Sequence, residues 1–274
     1  MEVLLHRSVE DIIHGYEGLI SADAVERQRK RRRFSYGLSG VMGQYRQVLR
    51  SSNLHGAIFD KIIFLDVPAL SPERINTFLQ ETIAYESNEK YAWCTGMFLT
   101  RLIKRSYDAG NNEFHLDTKA ISKPLHRIGQ QLKGKKKKRI GITVDGPLGD
   151  MCAWFSEYLD IKAESIGEHC GEYGWRLSIE AEAIGGQCCE YAKHSAIHAT
   201  SIGNFCGLYG KHLEIAAKLI GRHCGWHAKE STFRTTRRRT LERFMEHIAK
   251  EKGNHIYLVH RNGSEEEIQE ERWS

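Results

Sequence analysis

Residues 148 to 237 repeat themselves every eighteen residues: LGDMCAWFSEYLDIKAES (148–165), IGEHCGEYGWRLSIEAEA (166–183), IGGQCCEYAKHSAIHATS (184–201), IGNFCGLYGKHLEIAAKL (202–219) and IGRHCGWHAKESTFRTTR (220–237) follow one another without a gap. A period inside one chain means that each unit packs against its own copy, so one packing solution recurs along a stack. Eighteen residues are too few for a helix pair. A single continuous helix would have to absorb Gly167, Gly171, Gly174, Gly203, Gly207 and Gly210, at about 1 kcal/mol each relative to alanine. That cost excludes a helical unit.

Within the unit, Leu177-x-Ile179-x-Ala181 recurs as Ser195-x-Ile197-x-Ala199 and Leu213-x-Ile215-x-Ala217, mostly with polar residues between. This is the period-two alternation of a half-buried strand. Each strand ends at Leu148-Gly149, Ile166-Gly167, Ile184-Gly185, Ile202-Gly203 or Ile220-Gly221, read as a corner where glycine takes a positive φ. A cysteine follows (Cys152, Cys170, Cys188, Cys206, Cys224), then a ring (Phe155, Tyr173, Tyr191, Tyr209, His227) and a small residue (Ser156, Gly174, Ala192, Gly210, Ala228). The unit reads as one coil of a parallel β-helix, with like residues stacked at about 4.8 Å. A left-handed hexapeptide helix wants an aliphatic residue at every sixth place. After Ile166 those places hold Glu172 and Ser178, and after Ile184 they hold Glu190 and Ala196.

Upstream, Ile128-Gly129 reads as a further corner and Ile142-x-Val144 as its strand, with two extra residues in a lysine-rich loop between them. Six coils make a column about 29 Å long, and EFHLDT, with Phe114 and Leu116, reads as one more rung.

The segment IGITVDGPLGDMCAWFSEYLDIKAESIGEHCGEYG resembles the GXGXG-type β-helix found at the C-terminus of the large glutamate synthase chain and in one of the chains of formylmethanofuran dehydrogenase. Gly167-x-x-x-Gly171 and Gly203-x-x-x-Gly207 match its spacing, whereas Ala153 and Cys189 replace the second glycine and the cysteine column is foreign to it. The resemblance covers about residues 128–237. It implies a mainly β fold, a single-stranded parallel β-helix of right hand with eighteen-residue coils, serving as a scaffold. It transfers no catalytic residue and no cofactor, and implies a relative or component of an amidotransferase or formyl-transfer enzyme by fold alone.

The expected organisation is an α/β capping region (1–127), the β-helix (128–237) and a C-terminal helix plus strand with an acidic tail (238–274). SPERINTFLQETIAYES opens on an N-capping Ser71 and Pro72 and places Ile75, Phe78, Leu79 and Ile83 on one helical face. KIIFLDV (61–67) reads as a buried strand, and YAWCTGMFLTRLIKRSY as a second helix or solenoid cap. After the repeats, Leu241, Phe244, Met245 and Ile248 form a helical stripe, HIYLVH reads as a strand, and SEEEIQEERWS as a mobile tail.

Seven cysteines, an odd number, fit a reducing compartment. The N-terminus lacks a secretory pattern, and no apolar run approaches the ~18 residues of a membrane span. A soluble cytoplasmic protein is expected. The cysteine column is read as core rather than as a metal site. His169, His194, His198, His212, His223 and His227 are read as surface residues, and Tyr173, Tyr191 and Tyr209 as an internal stack rather than a platform for bases. Glu180 and Glu182 alternate with buried positions and should face water.

The net charge is only +5, from 40 basic and 35 acidic residues, but the basic residues cluster. Arg27, Arg29, Lys30, Arg31, Arg32 and Arg33 form one run, Lys133, Lys135, Lys136, Lys137, Lys138 and Arg139 a second, and Arg234 with Arg237, Arg238 and Arg239 a third. Such runs neutralise phosphates, and they make RNA a candidate partner. No phosphate-loop, serine-nucleophile or zinc-protease signature occurs. The readings are therefore an interaction scaffold with a protein partner or a second copy, or an RNA- or ribosome-binding protein. No catalytic residue, metal or cofactor is assigned.

Overall fold

The computed structural model describes residues 38–50, 62, 64–241, 248 and 253–268. The arginine run at 27–33, Phe244 and Met245 lie outside them. Two compact units divide the chain between Gln44 and Tyr45. The helix of residues 38–50 begins in the first, and the column and its caps belong to the second.

The chain is mainly β and forms a parallel β-helix of about five turns. Its strands are β1 (Glu113–Asp117), β2 (Ile140–Asp145), β3 (Pro147–Leu148), β4 (Leu159–Ile166), β5 (Ser178–Ile184), β6 (Ala196–Ile202), β7 (Glu214–Ile220), β8 (Thr232–Thr235), β9 (His255–Val259) and β10 (Glu265–Glu267). They form one sheet in the order β1-β2-β4-β5-β6-β7-β8-β9-β10, with β3 beside β4. Every pair from β1 to β9 is parallel, and Ile161, Ile179, Ile197, Ile215 and Phe233 stack in register. The repeat places those five side chains inside, each no more than 2% exposed. Phe114 and Leu116 of β1 add the rung expected from EFHLDT.

Hydrogen bonding does not stop where the strands do. Around the turn of each coil the backbone N–H groups point alternately to the coil before and the coil after: Cys189 N to Cys170 O at 2.8 Å, Tyr173 N to Glu190 O at 2.8 Å, Lys193 N to Gly174 O at 2.9 Å, Arg176 N to Lys193 O at 2.9 Å. The turns thereby satisfy the backbone polar groups that an ordinary loop gives to water.

Two packing rules explain the glycines. At the corners, Gly167, Gly185, Gly203 and Gly221 do not carry the expected positive φ. A Cβ on Gly203 would meet the carbonyl carbon of Gly185 and the amide nitrogen of Gly186, both at 2.6 Å. The corner needs glycine because coils approach backbone to backbone there, not to turn the chain.

Inside the turn the small residue and the strand's first core residue complement each other. A Cβ on Gly174 or Gly210 would sit 2.2 Å from Cδ1 of Leu177 or Leu213. The coils that carry Ala192 and Ala228 instead have Ser195 and Ser231. Those serine hydroxyls accept the Leu177 and Leu213 N–H groups at 3.1 and 3.0 Å.

The upstream coil is shifted by three residues from its reading. Leu125, not Ile128, bridges to Leu148 at the corner. Ile128 falls beside Cys152, since Ala153 N donates to Ile128 O and Gly129 carries the positive φ that Ala153 has in the next coil. The lysine insertion is longer than expected, because the chain takes seven steps from Lys133 to Ile140 where the next coil takes two from Glu157 to Leu159.

Both ends are covered. Helix Pro72–Thr82, capped by Ser71, buries Ile75, Phe78 and Leu79. Its Asn76 accepts the Asp117 N–H at 2.9 Å and its Gln80 donates to the Asp117 carbonyl at 2.7 Å, closing groups on the β1 edge. Ile83 has left the helix for a short 3₁₀ turn. Helix Tyr91–Asp108 lies so close to the first coil that a Cβ on Gly96 would fall 1.8 Å from the His126 carbonyl oxygen. Residues 64–70 are irregular rather than a strand, with Phe64 80% exposed. They are held through backbone carbonyls, Arg101 Nε donating to Leu65 at 2.8 Å and Arg105 Nε to Val67 at 3.0 Å.

At the far end, Leu241 and Ile248 are buried, and Ile248 packs on Gly225. The acidic segment does not hang free up to residue 267, because β10 pairs antiparallel with β9. Its three glutamates leave a charged outer edge that resists further strand pairing. Among the described residues no helix is long and apolar enough to cross a membrane.

Candidate interaction surface

The ring column is on the surface, which reverses the expectation of an internal stack. Phe155, Tyr173, Tyr191 and Tyr209 are 41%, 42%, 40% and 47% exposed, while Ser156, Ala192 and Ala228 beside them are fully buried. The cause is the backbone: Phe155, Tyr173, Tyr191, Tyr209 and His227 all have φ near +55°, the left-handed region. There the side chain swings outward and the following small residue takes the tight interior corner.

Successive ring centroids lie 4.6, 5.0, 5.1 and 5.0 Å apart from Phe155 to His227, with planes within 10° of parallel. The result is a strip about 20 Å long. Its interior rings have neighbours on both faces, so a nucleic-acid base cannot stack on them. What they offer outward is edges and tyrosine hydroxyls. Trp154 packs edge-on against Phe155 at 4.5 Å, and Trp226 stacks on His227 at 4.9 Å.

A basic column runs alongside. Trp175, Lys193, Lys211 and Lys229 are joined by parallel bridges from coil to coil, and all four are exposed. Next to them Arg176, His194 and His212 again sit at positive φ. The two imidazoles stack at 4.5 Å, and His212 Nε2 pairs with Glu230 at 2.8 Å. Burial, then the neighbouring His212, hold the His194 pKa below its usual range. On the other side of the strip Glu172 meets His169 Nδ1 at 3.1 Å, while burial and then the Glu172 carboxylate push Glu190 up. Three lysines thus stand on one side of the strip, Lys211 paired with Glu230 at 3.4 Å, and Glu172 and Glu190 stand on the other.

The six solenoid histidines are all at least partly exposed. All seven cysteines are buried and free of disulfides. The Cys188 and Cys224 thiols donate to the Gly185 and Gly203 carbonyls at 3.4 and 3.0 Å, and burial pushes Cys152 and Cys189 up to about 12. Such thiols stay protonated and serve as small core side chains. Among the described residues no three His, Cys, Asp or Glu side chains are grouped to hold a metal.

On the sheet face an open trough of about 800 Å³ runs over Ala163, Ala181 and Ala199, between Lys162, Glu180 and His198 on one wall and Glu164, Glu182 and Thr200 on the other. Glu180 and Glu182 face water, as the alternation requires, and Glu180 pairs with Lys162 at 2.6 Å.

The two basic runs among the described residues are not gathered. Lys133 pairs with Glu157 at 2.7 Å, Lys138 donates to the Gly110 carbonyl at 2.5 Å, and Arg139 forks onto Asp160. Lys135, Lys136 and Lys137 form an exposed tip. Arg237, Arg238 and Arg239 are exposed beyond β8, five rungs and about 24 Å along the column from β2. Arg234 is spent on Glu214 and Glu265, at 2.8 and 3.0 Å. The lysine column at 193, 211 and 229 escapes a search for charge runs, because its members stand eighteen residues apart; that spacing is itself the signal that finds them.

Comparison with family models, with curated proteins and with solved structures gives no match to this chain.

Proposed function

We propose that the protein is a non-catalytic docking scaffold, a stiff column whose turn face binds a macromolecular partner. The observation that carries this is the surface strip from Phe155 to His227 with Trp175 and Trp226 beside it. Tyrosine and tryptophan are the side chains that stable interfaces concentrate, and apolar area held this rigidly loses little entropy on binding. The likeness to GXGXG-type columns, which support neighbouring parts in amidotransferase and formyl-transfer enzymes, points the same way.

A protein partner or a second copy is favoured over bases, because the ring faces are already taken. The test compares the full chain with a Tyr173→Ser/Tyr191→Ser/Tyr209→Ser variant by light scattering and by affinity capture from the native host. A complex formed by the first and lost by the second supports the reading. A monomer that recovers no partner, or a complex indifferent to the three substitutions, counts against it.

RNA is the second reading, favoured by the lysine column and by the Lys135–Lys137 tip, through phosphate contacts alone. Retention on RNA at two salt concentrations decides it. Three phosphate contacts give a log–log salt slope of about −2 to −3, and absent or salt-insensitive retention removes the reading.

A further inference from the structure

Where helix Tyr91–Asp108 crosses the first coil, a cavity of about 140 Å³ opens between Thr100, Arg101, Lys104, Arg127, Gln130 and Gln131, with apolar walls from Ile62, Met97 and Leu132. This is several times the space one water needs. Among the described residues, its lining includes two arginines and one lysine and no acidic residue. The Lys104 ammonium is taken by Asp108 at 2.5 Å, a half-exposed carboxylate outside that lining, which leaves the two guanidiniums as the charges of the lining.

The polar groups are committed in a way that leaves donors over. Arg127 lies across the Trp93 ring at 4.2 Å and donates through Nη1 to Gln130 Oε1 at 3.0 Å. A guanidinium can only donate, so this bond fixes which end of the Gln130 amide is oxygen, and the other end must be the NH₂ group. Gln130 is 4% exposed, and its Nε2 is buried without an acceptor. Arg101 spends Nε on the Leu65 carbonyl and retains its terminal nitrogens as donors. Thr100 Oγ1 already accepts from Gly129 N at 2.9 Å, and its one proton is shared between the Gly96 carbonyl at 2.9 Å and the Arg127 carbonyl at 3.1 Å. The floor of the cavity is thereby fixed to backbone on both sides.

We propose that this cavity binds a phosphate group. A tetrahedral phosphate anion supplies the acceptor that Gln130 Nε2 lacks and meets the Arg101 guanidinium with charge-assisted bonds, beside the positive charge of Arg127, while an apolar ligand would leave that buried donor unpaired. The phosphate comes either from a small phosphomonoester or from a polynucleotide backbone, and the chemistry recognised is the same. The site lies in the cap and not on the ring strip, so it stands or falls separately from the scaffold reading.

The test is thermal unfolding and titration calorimetry of the full chain with inorganic phosphate. The melting midpoint should rise with the logarithm of phosphate concentration once the site fills. Gln130→Glu keeps the bond to Arg127 and turns the free donor into an anionic oxygen, and it should weaken phosphate by at least about tenfold. Arg101→Gln carries the same expectation should the first variant fail to fold. Displacement of phosphate by a phosphomonoester alone assigns a small-molecule ligand, and displacement also by an oligouridylate without terminal phosphates assigns a polynucleotide. The proposal is overturned by no response up to about 10 mM phosphate, well above a millimolar dissociation constant, or by equal affinity in wild type and variant. Displacement by neither competitor also overturns it.

Discussion

The complementarity of Gly210 with Leu213 predicts a double-mutant cycle with a definite sign. In Gly210→Ala the new Cβ lies 2.2 Å from Leu213 Cδ1, 2.9 Å from its Cγ and 3.1 Å from the Gly207 carbonyl oxygen. Leu213 is 3% exposed, so it has nowhere to swing, and such overpacking costs about 1–3 kcal/mol. Gly210 is not at positive φ, hence the backbone itself accepts alanine and stiffens the unfolded chain by about 0.4–1 kcal/mol. Leu213→Ser alone removes a buried leucine, at about 2–5 kcal/mol.

The double variant instead installs the pairing that Ala192 and Ser195 already make one coil earlier. The steric term vanishes, so the two changes together should cost about 1–3 kcal/mol less than the sum of the singles. Urea unfolding of the four proteins, followed by far-ultraviolet circular dichroism, measures the coupling. Additive costs within about 0.5 kcal/mol would refute the claim that the small residue and the core residue share one space.

Gly203→Ala should lower stability by about 3 kcal/mol, the upper range for overpacking, because both close atoms are backbone. Gly186→Ala, whose nearest atom is the Asn204 carbonyl oxygen at 3.1 Å, should be near neutral, and equal effects in a thermal scan would contradict the close-approach account. The seven thiols, all buried, should react with a disulfide reagent only on unfolding; fast labelling of the native protein would show that the cysteine column is open to solvent. Burial holds the His126 pKa down more than Asp150 raises it, and its Nδ1 accepts the Asp150 N–H at 2.9 Å. The unfolded chain therefore takes up that proton first, and this residue's share of stability is lost as pH falls from about 6.5 to the depressed folded value. His126→Asn, which keeps an acceptor for Asp150, should lose less stability than wild type between about pH 7.5 and 5; parallel pH profiles would contradict it.

The repeat is legible because its period-two strand residues, Ile179, Ile197 and Ile215, have a fixed alternation of faces. The ring column misleads because Tyr173, Tyr191 and Tyr209 sit in turns where left-handed residues alternate with ordinary ones, and neither the strand nor the helix period applies. The small residue beside each ring correctly signals a tight corner, but the small residue occupies it and the ring does not. The corner glycines are recognisable as necessary for the wrong reason, since contact between coils is a property of the stack and leaves no mark within one unit.

Upstream, the lysine insertion hides the register, and Ile128-Gly129 copies the corner signature by chance while filling the cysteine and left-handed places. KIIFLDV looks like a strand because apolar runs lack polarity cues. Its carbonyls go instead to Arg101 and Arg105, some 36 to 38 residues later, which local pattern cannot reveal. The phosphate cavity is equally invisible, since Arg101 and Gln130 meet only once the helix has docked on the first coil.

Trans-hydrogen-bond scalar couplings between amide nitrogen and carbonyl carbon, recorded on deuterated protein, report the stacking directly. The account requires Cys189 to couple to Cys170, Lys193 to Gly174, Ala196 to Leu177 and Gly203 to Ile184, each nineteen residues back. Couplings of the same amides to carbonyls four residues back, the mark of α-helix, would contradict it.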